Sequence, residues 1–190
     1  TGTGGHSAYP HRMGCDPVLA ASNSVMAIQS IITRQIDALD SVVISVCEIH
    51  GGTAKNVIPD RVEFSGSVRC QNMDVRNSMA KRISRVVSGV ASVYRCSAEL
   101  DYQYGVPPLS NSRRMTGLVR RSAEKIAGKD KVKEIPIPAM GSEDFSRYLE
   151  VVPEGVFARL GVREQGKPEP LFHNGSFIFP GTLEKRFIMP

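Results

Sequence analysis

Tryptophan is absent from the 190-residue chain, and aromatic residues make up only 6% of it. A stacking platform for single-stranded nucleic acid needs exposed rings, so that function is poorly supplied. No run approaches the roughly 18 consecutive apolar residues of a membrane-spanning helix. The start shows no initiating methionine, basic n-region or apolar h-region, and Thr1-Gly2-Thr3-Gly4-Gly5 reads like the middle of a longer chain. The four cysteines, Cys15, Cys47, Cys70 and Cys96, have no C-x-x-C spacing, which argues against structural zinc. Three of them fall in or at the ends of expected strands, where a free thiol packs as a small hydrophobe. Reduced thiols in the cytoplasm are the expectation. Also missing are a Walker loop, a G-x-G-x-x-G after a strand, and a nucleophile elbow with a Ser-His-Asp order.

What is present suits a soluble globular protein of one large domain or two small ones, with 41% hydrophobic and 23% charged residues. The net charge of +5 comes from 24 basic and 19 acidic residues. The basic residues are dispersed on predicted helices, as in Lys81, Arg82 and Arg85 or Arg113, Arg114, Arg120 and Arg121. Such sets are solvated helix faces. No nucleic acid and no membrane are expected as partners.

The pattern of apolar residues orders the elements. Asp16-Pro17 is an N-cap followed by proline in the first turn, and Val18, Ala21, Val25, Ile28 and Ile32 recur at helical steps, predicting a helix over 17–34. Val42, Ile44 and Val46 alternate within a strand over 41–50. Gly51-Gly52 opens a loop that runs to Pro59-Asp60, after which Val62, Phe64, Gly66, Val68 and Cys70 alternate again. Met79, Ile83, Val86, Val87 and Val90 restore the helical period between Asp74 and Tyr94. Cys96, Ala98, Leu100, Tyr102 and Tyr104 then alternate along a last strand. With a strand entering at Thr1, the order is β-α-β-β-α-β, a ferredoxin-like arrangement of two helices on a four-stranded sheet.

Gly105-Val106-Pro107-Pro108 breaks the pattern and sets the domain boundary. Beyond it, Asn111 or Ser112 caps a helix over 113–127. A short strand is expected near 132–135, and Ser142 is placed to cap a short helix starting at Glu143-Asp144. Residues 156–160 and 172–179 read as further strands, with a polar loop over 162–170 between them. These pieces are too few to close a domain, so 106–190 is expected to be part of a larger α/β sheet. The fold class is α/β (α+β), a ferredoxin-like lid followed by an incomplete α/β portion.

Several residues bear on chemistry. His6 and His11 lie in a Gly- and Pro-bounded loop, and such loops carry function disproportionately; two exposed loop histidines are the plainer alternative. His173 follows Phe172 at a loop-to-strand transition, where an imidazole serves equally as a metal ligand or as an ordinary exposed side chain. Gly141-Ser142 precedes a helix N-terminus, either an anion site or a simple cap. Arg69 sits on a strand, and a partly buried arginine needs a partner, best a bidentate carboxylate.

Four segments carry a resemblance: GTGGHSAYPHRMGCDPVLAAS, VVISVCEIHGGTAKNVIPDRVEFSGSVR, PAMGSEDFSRYLE and LFHNGSF. In this order and spacing the chain closely resembles the zinc/manganese metallo-aminoacylase and carboxypeptidase family. That family includes hippurate hydrolase, plant indole-acetyl-amino-acid hydrolases, carboxypeptidase G and succinyl-diaminopimelate desuccinylase. The resemblance runs to about Pro180 and is nearest the hippurate hydrolase and auxin-conjugate branch. It implies metal-dependent hydrolysis of the amide bond of N-acyl amino acids or peptides, with two divalent metal ions, zinc or manganese. A lid that mediates homodimerisation interrupts the catalytic domain; residues 1–105 match the lid and 106–190 the C-terminal part of the catalytic domain.

By the same resemblance, His6 matches the lid histidine that reaches the partner subunit's site and steadies the oxyanion. Asn56 and Arg69 match substrate-binding lid positions, with Arg69 gripping the free carboxylate. Gly141 and Ser142 match the loop lining the substrate pocket, and His173 matches a metal ligand. The departures are large. The family's other ligands and its general-base glutamate lie upstream of the lid and have no counterpart here. The chain also departs from the family's last helix after Phe179. One ligand cannot hold a catalytic zinc, which takes about three protein ligands and a water, so this chain alone is expected to be inactive. A non-catalytic dimerisation or regulatory module derived from the family is the alternative. Nucleic-acid binding by the sheet would need exposed aromatics on its central strands, which offer only Phe64.

Overall fold

The computed structural model describes residues 1–160. Its elements run β1 (Gly5–His6), α1 (Pro17–Gln35), β2 (Val42–Gly51), β3 (Val57–Ile58), β4 (Val62–Cys70), α2 (Met73–Val93), α3 (Arg113–Ala127) and α4 (Phe145–Val151), with single 3-10 turns at Pro10–Arg12 and Lys129–Lys131. The chain divides into two units, Thr1–Gly155 and Val156–Pro190. The expected strand over 172–179, the loop over 162–170, His173 and the divergence after Phe179 all lie outside the described residues.

Both long helices start on side-chain caps. Asp16 Oδ1 accepts from the Val18 and Leu19 N–H groups at 2.9 and 3.2 Å, with Pro17 filling a position whose N–H would have no acceptor. Asn72 Oδ1 accepts from Asp74 and Val75 at 2.8 and 3.3 Å, and its amide donates to Asp40 at 3.0 Å. At the far end of α2, Arg95 adopts φ +57°, the Cys96 N–H reaches the Ala91 carbonyl and the Arg95 N–H reaches Ser92. That is a Schellman stop with arginine where glycine is usual.

β2 and β4 pair antiparallel, with Ile44 opposite Val68 and Val43 opposite Arg69. A bulge at Cys47 shifts the register between Val46 and Glu48, so that Ile49, though exposed, comes opposite Phe64. Gly66 faces this irregularity, and a Cβ there would collide with the Ser45 carbonyl. α1 and α2 cover one face of the pair. Ile28, Ile31, Ile44, Met79, Ile83 and Val87 form the core, with Phe64 and Tyr102 packed against it. Arg82 donates to the Gln35 carbonyl at 2.9 Å and Arg85 to its side chain at 2.7 Å, placing cations at the negative end of α1.

The flanking strands differ from expectation. The N-terminal strand does not join a four-stranded sheet: β1 pairs with β3 in its own two-stranded ladder. Residues 96–104 form no strand, although the Thr1 and Ser97 backbones exchange hydrogen bonds at 2.9 Å. Side chains hold this segment instead. Tyr102 packs on the core, the Tyr104 hydroxyl donates to the Asn77 carbonyl, and Arg76 donates to the Gly105 carbonyl at 2.6 Å. Alternation reports which face is buried, and Tyr102 supplies that burial; it does not report a neighbouring strand with free backbone groups. The expected strands at 132–135 and 156–160 likewise form no ladder among the described residues.

The segment after Gly105 is thinly packed. α3 begins on Ser112, whose hydroxyl accepts from Met115 N–H at 3.4 Å. None of its residues is buried, and Leu118 and Ile126 are 46% and 59% exposed. Its basic face is solvated, as expected, with Arg114 and Arg120 paired to Glu154 and Glu134. No described helix is long and apolar enough to cross a membrane.

Candidate active-site residues

His6 is fixed by a local network. Gly2 and Gly4 N–H groups donate to the Asp60 carbonyl at 2.7 Å and to its carboxylate at 2.5 Å, which clamps the glycine run onto the end of the 51–61 loop. A Cβ on Gly4 would lie 2.7 Å from the Ile58 carbonyl, so glycine is needed for this close approach. The run then enters β1, where His6 faces Val57, and the Ser7 N–H donates to the Asn56 carbonyl at 3.0 Å. The ladder thus brings the His6–Ser7 backbone against the Asn56–Val57 segment, distant in sequence.

The Ala8 N–H donates to His6 Nδ1 at 3.1 Å. An acceptor Nδ1 places the proton of neutral imidazole on Nε2. His6 therefore offers an exposed Nε2–H donor from a ring whose inner nitrogen is already engaged. Tyr9 packs 5.9 Å from the His6 ring, with the Arg12 guanidinium 4.7 Å from the Tyr9 ring centroid and His11 edge-on to it at 6.4 Å. Sequence reasoning singled out His6 and His11 but missed Tyr9, Arg12 and the Asp60 clamp. Only the adjacency of Tyr9 and Arg12 to the histidines was there to be read.

Arg69 stands elsewhere. It lies opposite Val43 on the sheet face turned away from the helices, seven residues along β4 from Val62, about 23 Å of extended chain. It is half-buried, and among the described residues its guanidinium has no hydrogen bond or ion pair. Phe64 is turned into the core, so the sheet's outer face does not gain from it the ring that base stacking would need.

Gly141 and Ser142 are exposed in the loop before α4. Ser142 does not cap that helix. Asp144 holds the N-cap position without a side-chain hydrogen bond, and the Phe145 N–H reaches the Glu143 carboxylate at 3.5 Å. The helix begins two residues later than the acidic pair predicted, because Ser146 is buried with its hydroxyl on the Glu143 carbonyl at 2.7 Å. Arg147 reaches back to the Gly105 carbonyl at 3.0 Å, the same oxygen that Arg76 binds. Among the described residues no three His, Cys, Asp or Glu side chains come together as metal ligands. The described part of the chain therefore does not assemble a metal centre, and His173 lies outside it.

The paired helices over β2 and β4, with a histidine-bearing glycine loop in the same unit, define a two-layer α/β module. The chain belongs to peptidase family M20/M25/M40, whose model matches residues 9–177. It is 39% identical over 161 residues to N-acetyl-L-cysteine deacetylase of Bacillus subtilis, covering 84% of this chain and 37% of that protein. It is 34% identical over 189 residues to IAA-amino acid hydrolase ILR1-like 2 of Arabidopsis thaliana, covering 95% and 42%. Among solved structures it is similar to the YXEP protein of Bacillus subtilis, described as a dinuclear metal binding peptidase of the M20 family. The TM-score is 0.60 at 26% identity, covering 72% of this chain and 34% of that one. The chain thus spans about two fifths of the length of these relatives.

Proposed function

We propose that the chain is the lid and C-terminal catalytic portion of a metal-dependent amidohydrolase that cleaves the amide bond of N-acyl amino acids. The observation that carries this reading is the state of His6. Its Nδ1 accepts from Ala8 N–H, leaving Nε2–H as an exposed donor, and the Ser7 backbone that follows it binds the Asn56 carbonyl. Such a donor suits the oxyanion that forms when an amide carbonyl is attacked. Arg69, half-buried and without a described partner, suits the free carboxylate of the substrate, which a guanidinium binds through two parallel hydrogen bonds. Asn56 would hold the substrate nearby, and Gly141 and Ser142 would line its pocket.

His6 lies in the β1–β3 ladder and Arg69 near the far end of β4 from Val62, in separate sheets. This supports a homodimer in which the lid of one subunit serves the site of its partner. The boundary falls at 105/106, and the unburied α3 suits a catalytic domain whose other strands are supplied by further polypeptide. Two metal ions, zinc or manganese, belong to that domain, with His173 as this chain's ligand. We place the enzyme in the cytoplasm.

The test uses a full-length protein. His6→Ala should lower turnover on an N-acyl amino acid roughly 100-fold, the loss of about 3 kcal/mol expected for one oxyanion donor, with metal content unchanged. Unaltered turnover would remove His6 from the site. Arg69→Ala should raise KM for substrates with a free carboxylate and spare amide-capped analogues; equal losses on both would refute its assignment.

A further inference from the structure

Three segments meet at Gly2. Its backbone neighbours exchange hydrogen bonds with Ser97 on one side of α2's end and with Cys15 just before α1: Thr1 with Ser97 at 2.9 Å, and the Thr3 N–H with the Cys15 carbonyl at 3.4 Å. A Cβ on Gly2 would lie 3.3 Å from Cys96 Sγ and 3.3 Å from the Cys15 carbonyl oxygen. The absence of a side chain at this position lets the Cys96 sulfur pack against the backbone that also meets the Cys15 carbonyl. The Cys15 thiol donates to the Thr3 hydroxyl at 3.3 Å, and burial first, then the neighbouring Cys15 thiol, push the Cys96 thiol up. The Schellman stop holds Cys96 by its N–H, and the Asp16 cap follows directly on Cys15, so both backbones are fixed. An open hollow of about 350 Å³, lined by His11, Cys15, Asp16, Tyr94 and Arg95 among others, gives a small reagent access to Cys15.

We propose that Cys15 and Cys96 are a reversible disulfide site, free in the resting protein and closed by a peroxide. The steps balance. A thiol gives up its proton, the thiolate sulfur attacks hydrogen peroxide and the O–O bond breaks, giving a sulfenic acid and a hydroxide that takes up that proton as water. The second thiolate attacks that sulfur, the S–O bond breaks, and the departing hydroxide takes a proton to leave as water. Two thiols and one peroxide thus give one disulfide and two waters, and an added dithiol reverses the change. The bond ties the start of α1 to the end of α2. On the reading of His6 given above, it also anchors the foot of the loop that carries the catalytic donor. Cys47, exposed on the bulge, and Cys70, beside Arg76 and Tyr102, lie outside this junction.

The experiment treats the 190-residue chain with hydrogen peroxide, alkylates the remaining thiols, and maps the peptides without reduction. The expected product has lost two hydrogens, links Cys15 to Cys96, and carries the alkyl label on Cys47 and Cys70. Dithiothreitol should restore all four labels. Closing a loop of this length should raise Tm by roughly 5–15 °C. Cys15→Ser and Cys96→Ser should each abolish the link and the Tm shift, while Cys47→Ser keeps both. Separate alkylation of Cys15 and Cys96, oxidation of each to a sulfinic acid, or links to Cys47 or Cys70 would overturn the proposal. The wild-type map decides this even if a variant fails to fold. A mass readout also fails independently of any result on hydrolysis.

Discussion

Met79 and Met26 provide a matched pair for testing where the core lies. Met79 is 0% exposed and belongs to the cluster between the helices and the sheet, whereas Met26, on α1, is 73% exposed. Truncating Met79 to alanine removes three heavy atoms from a closed site. At about 0.8 kcal/mol per buried methylene-sized group, the transfer loss is about 2.4 kcal/mol. A residual cavity of about 50 Å³ adds roughly 1.2 kcal/mol at about 24 cal/mol per Å³. Met79→Ala should therefore cost about 3.6 kcal/mol, a large share of the 5–15 kcal/mol typical of a domain. Met26→Ala makes the same chemical change in water and should move stability by less than about 0.5 kcal/mol. Urea titrations followed by circular dichroism would give both values, provided the slopes match. Equal costs for the two variants would show that α1 and α2 do not bury Met79 as described.

Other expectations follow from single contacts. Gly66→Ala should destabilise by about 2 kcal/mol, because a Cβ meets the Ser45 carbonyl and backbone must shift; an unchanged denaturation midpoint would contradict the β2–β4 register. Arg95→Gly should stabilise by about 0.5–1 kcal/mol by relieving the positive φ, and a loss in the same assay would refute the Schellman stop. Hydrogen bonds from Arg114 and then Ser112 hold the Glu154 carboxyl below its ordinary value. The folded value is the lower one, so its small contribution is present above the ordinary glutamate range and is lost as pH falls through the lowered value. An NMR titration should show this depression in the native chain and its reduction in Arg114→Ala; an identical midpoint in both would exclude the pairing.

Much of the fold could be read before any coordinates. The stripe through Ile28, Met79, Ile83 and Val87 and the alternation at Val42, Ile44 and Val46 place four elements within a residue or two of their observed bounds. Asp16-Pro17 fixes the start of α1 because a carboxylate and a proline meet the needs of a helix N-terminus locally. Ser142 misled, because several residues before a helix can accept a hydrogen bond, and the burial of Ser146 decided which did. The flanking strands misled for a different reason. Cys96 to Tyr104 alternates, but ladder pairing needs a second backbone at the right distance, and periodicity carries no information about it.

The sequence by itself determined the family, the Asp16 cap of α1 and the inner face of α2. Those features are set by local backbone chemistry or by side chains whose spacing repeats the period of their element. Only the tertiary structure decided that the His6–Ser7 backbone meets the 56–58 segment through a short ladder, that the β2–β4 register puts Arg69 opposite Val43, and that Cys15 and Cys96 are brought to either side of Gly2. Each depends on segments far apart in the chain being folded against one another, and no local pattern of residues encodes that distance.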